Sequence, residues 1–148
     1  MGGPRKGGAG PLAGMRVLEL AQIMAGPTAG MMLADLGAEV IKVEKLPGGD
    51  DSRGYREPRV NGVSAPFMIL NRNKRGIALN LKDERGREVL QRLIRELDVD
   101  VFCCNTVPSR YRALGIDYET LSAVKPDLIW AGISAMGPAY PDAPGYDP

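Results

Sequence analysis

Histidine is missing from all 148 residues. Its absence excludes histidine-based triads, histidine metal sites and histidine general bases from this stretch of protein. Cysteine is nearly absent too, limited to the neighbours Cys103 and Cys104. Side chains of adjacent strand residues point to opposite faces, which suits two buried structural thiols better than a chelating pair. Charge of one sign is not in excess: the formal net charge is +1. Bulk attraction to nucleic acid or to an anionic membrane therefore has little support. No apolar run approaches the roughly eighteen residues of a membrane span. The opening "MGGPRKGGAGPLAG" has no apolar core of a secretory signal. A flexible Gly/Pro-rich tail over residues 1–12 is expected, followed by a domain over 13–148, in the cytoplasm. No metal is expected.

What is present is 44% hydrophobic and 25% charged, the balance of a globular domain with a real core. "MRVLEL" (Met15 to Leu20) reads as a buried strand. The break Ala25-Gly26-Pro27 follows, with Pro27 suited to a first helical turn. A helix is expected over Thr28 to Leu36, stopped by Gly37. "AEVIKVE" (Ala38 to Glu44) reads as a second strand, completing a βαβ unit with parallel strands. The polar "PGGDDSRGYREPRVNG" reads as a long loop of the kind that is functional or mobile. A basic turn at Arg72, Lys74 and Arg75 then leads to a third strand, Ile77 to Lys82. Asp83 is placed to cap a helix over Glu84 to Leu97 whose apolar face is Val89, Leu90, Leu93, Ile94 and Leu97. Further elements are expected at Asp100 to Cys104, Ser109 to Leu114, Tyr118 to Val124 and Leu128 to Ser134. The alternation predicts an α/β fold: a Rossmann-like open, mainly parallel sheet with helices on both faces.

Ligands of such sheets bind at the carboxyl ends of the strands. The turn from Gln22 to Pro27 carries no G-x-G-x-x-G. Its small residues serve either a close-lying ligand or tight strand–helix packing. Lys45, just past the second strand, is either a phosphate contact or a solvated strand end. Arg72, Lys74, Arg75 and Lys82 bracket a strand expected to end near Lys45, and would there form a pocket for a polyanionic nucleotide. The closing "PGYDP" offers a Tyr-Asp pair, as a site or as a plain turn. The physical reading is a domain that binds a phosphorylated ligand.

Together, "PLAGMRVLELAQIMAGPTAGMMLADLGAEVIKVEKLPGGDDSRG", "NRNKRGIALNLKDERGREVLQRLI", "DVDVFCCN" and "PGYD" resemble the N-terminal part of the class III CoA-transferases. That family includes formyl-CoA transferase and the carnitine and bile-acid CoA-transferases, with α-methylacyl-CoA racemase as a close relative. The resemblance runs from Pro11 onward. It implies a CoA-binding Rossmann-like domain from a homodimer whose subunits interlock. The implied reaction moves CoA between small carboxylic acids through an aspartyl-CoA thioester. Its implied substrates are acyl-CoA and carboxylates, without a metal.

By position, Gln22, Met24 and Ala25 match the turn against the thiol-bearing end of CoA, with Gln22, Tyr146 and Asp147 lining the active site. Lys45 matches a contact to the adenosine phosphates. Leu79, Asn80, Leu81 and Lys82 match a strand end that holds adenine and ribose, and Asn105, Thr106 and Val107 another stretch along CoA. The nucleophilic aspartate is expected downstream of Pro148, so this chain alone is expected to lack transferase activity. Two alternatives remain. One is a racemase-type isomerase, disfavoured because Tyr146 stands where that enzyme has histidine; the other is a non-catalytic CoA-binding or dimerising subunit.

Overall fold

Arg16–Leu20 (β1) runs through the middle of a five-stranded parallel sheet, because its residues are buried on both faces as a central parallel strand must be. The structure, a computed structural model, describes residues 9–145. The chain leaves β1 through a turn into Ala25–Asp35 (α1) and returns as Glu39–Lys45 (β2), in register with β1 through Glu19 and Lys42. A 3-10 turn over Asp51–Gly54 follows. Next come a two-stranded hairpin, Arg59–Val60 (β3) and Val63–Ser64 (β4), and the short helix Ala65–Leu70 (α2). Lys74–Leu79 (β5) pairs with β2. The helix Glu84–Glu96 (α3) leads across to Val101–Cys104 (β6), on the other side of β1. Tyr111–Leu114 (α4) and Tyr118–Val124 (α5) lead to Ile129–Gly132 (β7), beside β6. The strand order is β5-β2-β1-β6-β7. The chain thus reverses direction across the sheet at β1 and β6, which defines a switch point between their carboxyl ends.

The expected α/β class and most elements are present. Asp83 caps α3 by accepting the Arg85 N–H, and Asp117 caps α5 in the same way through Thr120. Three expectations are corrected. The helix α1 begins at Ala25 rather than Thr28, which leaves Pro27 within the first turn. The third large strand begins at Lys74 rather than Ile77 and ends at Leu79 rather than Lys82. Long side chains can leave a strand for a partner, so Lys74 and Arg75 are strand residues and not a turn. The segment after β2 is not irregular throughout: Asp50 caps a 3-10 turn through Ser52, and the β3–β4 hairpin closes by backbone pairing.

One face of the sheet is covered by α3, α4 and α5 over Leu18, Ile41, Val43, Leu90, Ile94, Phe102, Cys104, Ile116 and Leu121. The other carries a smaller apolar cluster, Val17, Ala34, Ala38, Val40 and Cys103, beneath α1. The two thiols therefore face opposite layers, as their adjacency predicts. Burial pushes Cys103 up to about 12 and Cys104 up to about 11. Helix α1 lies close on the sheet because Gly26 and Gly30 face it. A Cβ at Gly26 would run into Ala21, and one at Gly30 into Glu19 Oε2.

Candidate functional site

The turn between β1 and α1 sits at the switch point. It is held there by side chains from two other loops. Asn105, directly after β6, makes a reciprocal pair with Gln22: Asn105 Oδ1 accepts the Gln22 N–H at 2.9 Å, and Asn105 Nδ2 donates to the Gln22 carbonyl at 2.8 Å. Asp50, from the loop after β2, accepts the Ile23 N–H at 3.0 Å. Ile23 has φ of 68°, a left-handed conformation that is a genuine outlier for a β-branched residue. Met24, 50% exposed, and the exposed Ala25 form the open rim of the turn. Gln22 Oε1 is buried and has no hydrogen-bond partner among the described residues.

Gly26 is buried and serves strand–helix packing, while Met24 and Ala25 are exposed.

Lys45 ends β2 in register with Leu79, on the same end of the sheet as the turn. Its ammonium is half-exposed and paired with Asp51. Beside it Arg53 makes a two-pronged contact with Glu44, at 2.6 and 2.7 Å, and lies 3.7 Å over the Phe67 ring. The Arg53 contact, helped by the Asp50 N–H, holds the Glu44 carboxyl below its ordinary range against the opposing effect of burial. Leu79 and Leu81 are core residues. At that strand end only backbone groups and the exposed Asn80 and Lys82 can reach a ligand. Thr106 and Val107 follow Asn105 and are half-buried. Tyr146 and Asp147 lie outside the described residues.

The expected gathering of Arg72, Lys74 and Arg75 around Lys45 does not occur. Lys74 is in register with Val40 and Leu79 with Lys45, so a strand's length, about 16 Å at the usual rise, separates the basic cluster from Lys45. These cations are also engaged elsewhere. Arg72 pairs with Asp35, Arg75 with Glu39 at 2.8 Å, and Lys74 with Glu19 at 2.7 Å. Of the four, only Lys82 lies past the carboxyl end of its strand.

A second group escaped the sequence reading: the charges buried under α1. Glu19 and Lys42 are 0% and 2% exposed, and Asp50 is 1% exposed. Lys42 Nζ lies 3.0 Å from Glu19 Oε1 and 2.9 Å from Asp50 Oδ2, and donates to the Ala21 carbonyl at 2.7 Å. Lys74 Nζ meets the other Glu19 oxygen and donates to the Pro27 carbonyl at 2.8 Å. Burial acts to raise the Asp50 carboxyl. Lys42 and the N–H groups of Ile23 and Ser52 outweigh it, so Asp50 stays below the usual range. For Lys74 burial wins over Glu19, and its ammonium is held below the usual lysine range. A signal was available: Glu19 and Lys42 are opposite charges inside two apolar strands of one βαβ unit.

The family model of CoA-transferase family III matches residues 12–148. The chain is 44% identical over 141 residues to the succinyl-CoA:glutarate CoA-transferase of Mus musculus, covering 93% of this chain and 31% of that protein. It is 42% identical over 145 residues to the succinate–glutarate CoA-transferase of Agrobacterium fabrum, covering 93% of this chain and 36% of the relative. Among solved structures, a CAIB/BAIF family protein from Brucella suis superposes with a TM-score of 0.83 at 42% identity, over 93% of this chain and 37% of that one. The chain spans about a third of the length of the curated relatives it matches.

Proposed function

The chain belongs to CoA-transferase family III, and from that premise we propose that it is the CoA-binding part of an acyl-CoA:carboxylate CoA-transferase. The observation that carries this reading is the turn at the switch point, fixed through Asn105 and Asp50 with Met24 and Ala25 left open. Backbone that is pinned on its inner side and bare on its outer side suits a long ligand laid against it. The Gln22 Oε1, without a partner among the described residues, suits the same role, since a buried polar atom calls for one. Met24 and Ala25 would contact the pantetheine arm, with the Gln22 carboxamide near the thioester.

Lys45 and Lys82 would hold the phosphates, with Asn80, Thr106 and Val107 along the rest of the ligand. A phosphate reaching Lys45 must replace Asp51, which occupies its ammonium. These residues bind and orient. The carboxylate nucleophile is expected from sequence beyond Pro148, with Tyr146 and Asp147 lining the acyl pocket. Succinyl and glutaryl groups are the donors and acceptors to try first, since the relatives carry those names. The same reading makes the whole protein a cytoplasmic homodimer. No described helix is long and apolar enough to cross a membrane.

Calorimetric titration of the chain with CoA and, separately, with NAD tests the proposal. CoA binding is expected, weakened about tenfold or more by Lys45→Glu through loss of a charge-assisted contact. Binding of NAD without CoA would overturn the reading.

A further inference from the structure

Left to its own preferences, the segment from Ala21 to Met24 would not keep its shape. A β-branched residue rarely adopts the φ of 68° found at Ile23, and such strain persists only where the surroundings over-determine it. Here they do. The Ile23 N–H donates to Asp50 Oδ1 at 3.0 Å, and that oxygen also accepts from the backbone N–H and the hydroxyl of Ser52. The other Asp50 oxygen lies 2.9 Å from Lys42 Nζ. Lys42 in turn donates to the Ala21 carbonyl at 2.7 Å. One ion pair therefore grips the turn on both sides of Gln22, through the carbonyl before it and the N–H after it.

A simple capping role explains less. Capping the 3-10 turn needs only the Ser52 contacts, neither a buried lysine nor a reach into another loop. Placing two charges in the interior brings little stability compared with apolar packing. It does fix distances, because an unpaired buried charge is strongly disfavoured. Glu19 completes the arrangement by pairing with the Lys42 ammonium through one oxygen, while its other oxygen is held by Lys74.

We propose that Asp50, set by Lys42, is a positioning residue for the proposed CoA site: it holds Ile23 in the left-handed conformation and thereby aims Gln22, Met24 and Ala25 at the ligand without touching it. The proposal rests on the CoA reading for its consequence, and on the turn alone for its geometry.

Two readouts keep these apart: amide hydrogen exchange at Ile23, which needs no ligand, and calorimetric CoA affinity. Asp50→Asn keeps an oxygen at the site but removes the charge that Lys42 holds. Exchange at Ile23 should then speed up, and the CoA dissociation constant rise, by about tenfold each. Protection of β1 and β6 should fall less than that of Ile23. Glycine takes a positive φ without strain, so placing Asp50→Asn in an Ile23→Gly background should cost only about threefold in affinity. Ser52→Ala, which withdraws one donor to the same oxygen, should give a milder form of the pattern, about two- to threefold. That variant keeps the test decisive where Asp50→Asn fails to fold. Unchanged Ile23 exchange in both variants, or an equal affinity loss in the glycine background, would overturn the proposal. If the unmutated chain fails to bind CoA, the functional reading falls, and the role of Asp50 is decided by exchange alone.

Discussion

On the side of the sheet covered by α3 and α5, Leu18, Ile41, Phe102, Leu90 and Ile94 interlock as aliphatic and aromatic surface. On the side covered by α1, the same central strands bury Glu19 and Lys42, joined by Lys74 from β5. Apolar burial is non-directional and roughly proportional to area, so the first face can hold the domain together without dictating any one distance. Ion pairs and hydrogen bonds fix distances to a few tenths of an ångström, and those on the second face end on the Ala21 and Pro27 carbonyls, on either side of the β1–α1 turn. One face is apolar throughout, while the other combines a smaller apolar cluster with ion pairs directed at the turn. Arg16 marks the contrast from the other side. Although buried, it lies at the foot of the apolar face, where its guanidinium meets Glu39 at 2.7 Å and donates to the Leu97 carbonyl at the end of α3.

Loss of Lys42 should disturb the charged face most. Lys42→Met strands Glu19 and Asp50 without their shared cation, and about 3–5 kcal/mol of stability should be lost in urea unfolding. A loss below about 1 kcal/mol would mean that the buried charges are not interdependent. Leu90→Ala, on the opposite face, should cost about 2–5 kcal/mol by cavity formation while leaving CoA affinity unchanged. Should Leu90→Ala also weaken CoA binding, the two faces would not be separable. Gly30→Ala brings a methyl group into Glu19 Oε2 and should lift α1 at a cost of about 1–3 kcal/mol. Its effect should be as large on CoA binding as on stability, which sharpens the claim that α1 and the charge network set the turn together.

The smallest effect expected is a pH dependence. Asp50 and Glu44 lie below their ordinary values of 3.8 and 4.5 in the folded chain. Carboxyls shifted down contribute stability that is present above those ordinary values and is lost as pH falls through the folded ones. Urea midpoints should therefore decline below about pH 4, less steeply in Asp50→Asn than in the unmutated chain. Identical slopes would remove Asp50 from the account.

What the sequence reveals follows the same division. Helix α3 is legible because its apolar residues recur at helical spacing and Asp83 announces its start; α5 is legible from Tyr118 to Val124 for similar local reasons. Lys74 and Arg75 misled, because a basic pair after Asn73 reads as a turn until partners across the sheet are known. Glu19 and Lys42 face each other in register, yet their contact is tertiary, and no local pattern says whether a charged strand residue meets water or an opposite charge. Within the site, the family resemblance singled out Gln22 and Asn105, and the structure joins them by two hydrogen bonds. The role of Asp50 has no local signal, since it lies in reaching Ile23 and Lys42 in other segments rather than in its own polar loop.

The adjacent thiols gain a use from the division between the layers. Cys103 belongs to the cluster under α1 and Cys104 to the one under α3 and α5, one peptide bond apart. Opening of one layer uncovers one sulfur and leaves its neighbour shielded. A modifying reagent and a mass spectrometer would thus read the order in which the two layers come apart during unfolding. Neighbours in the chain become independent witnesses to opposite sides of the sheet.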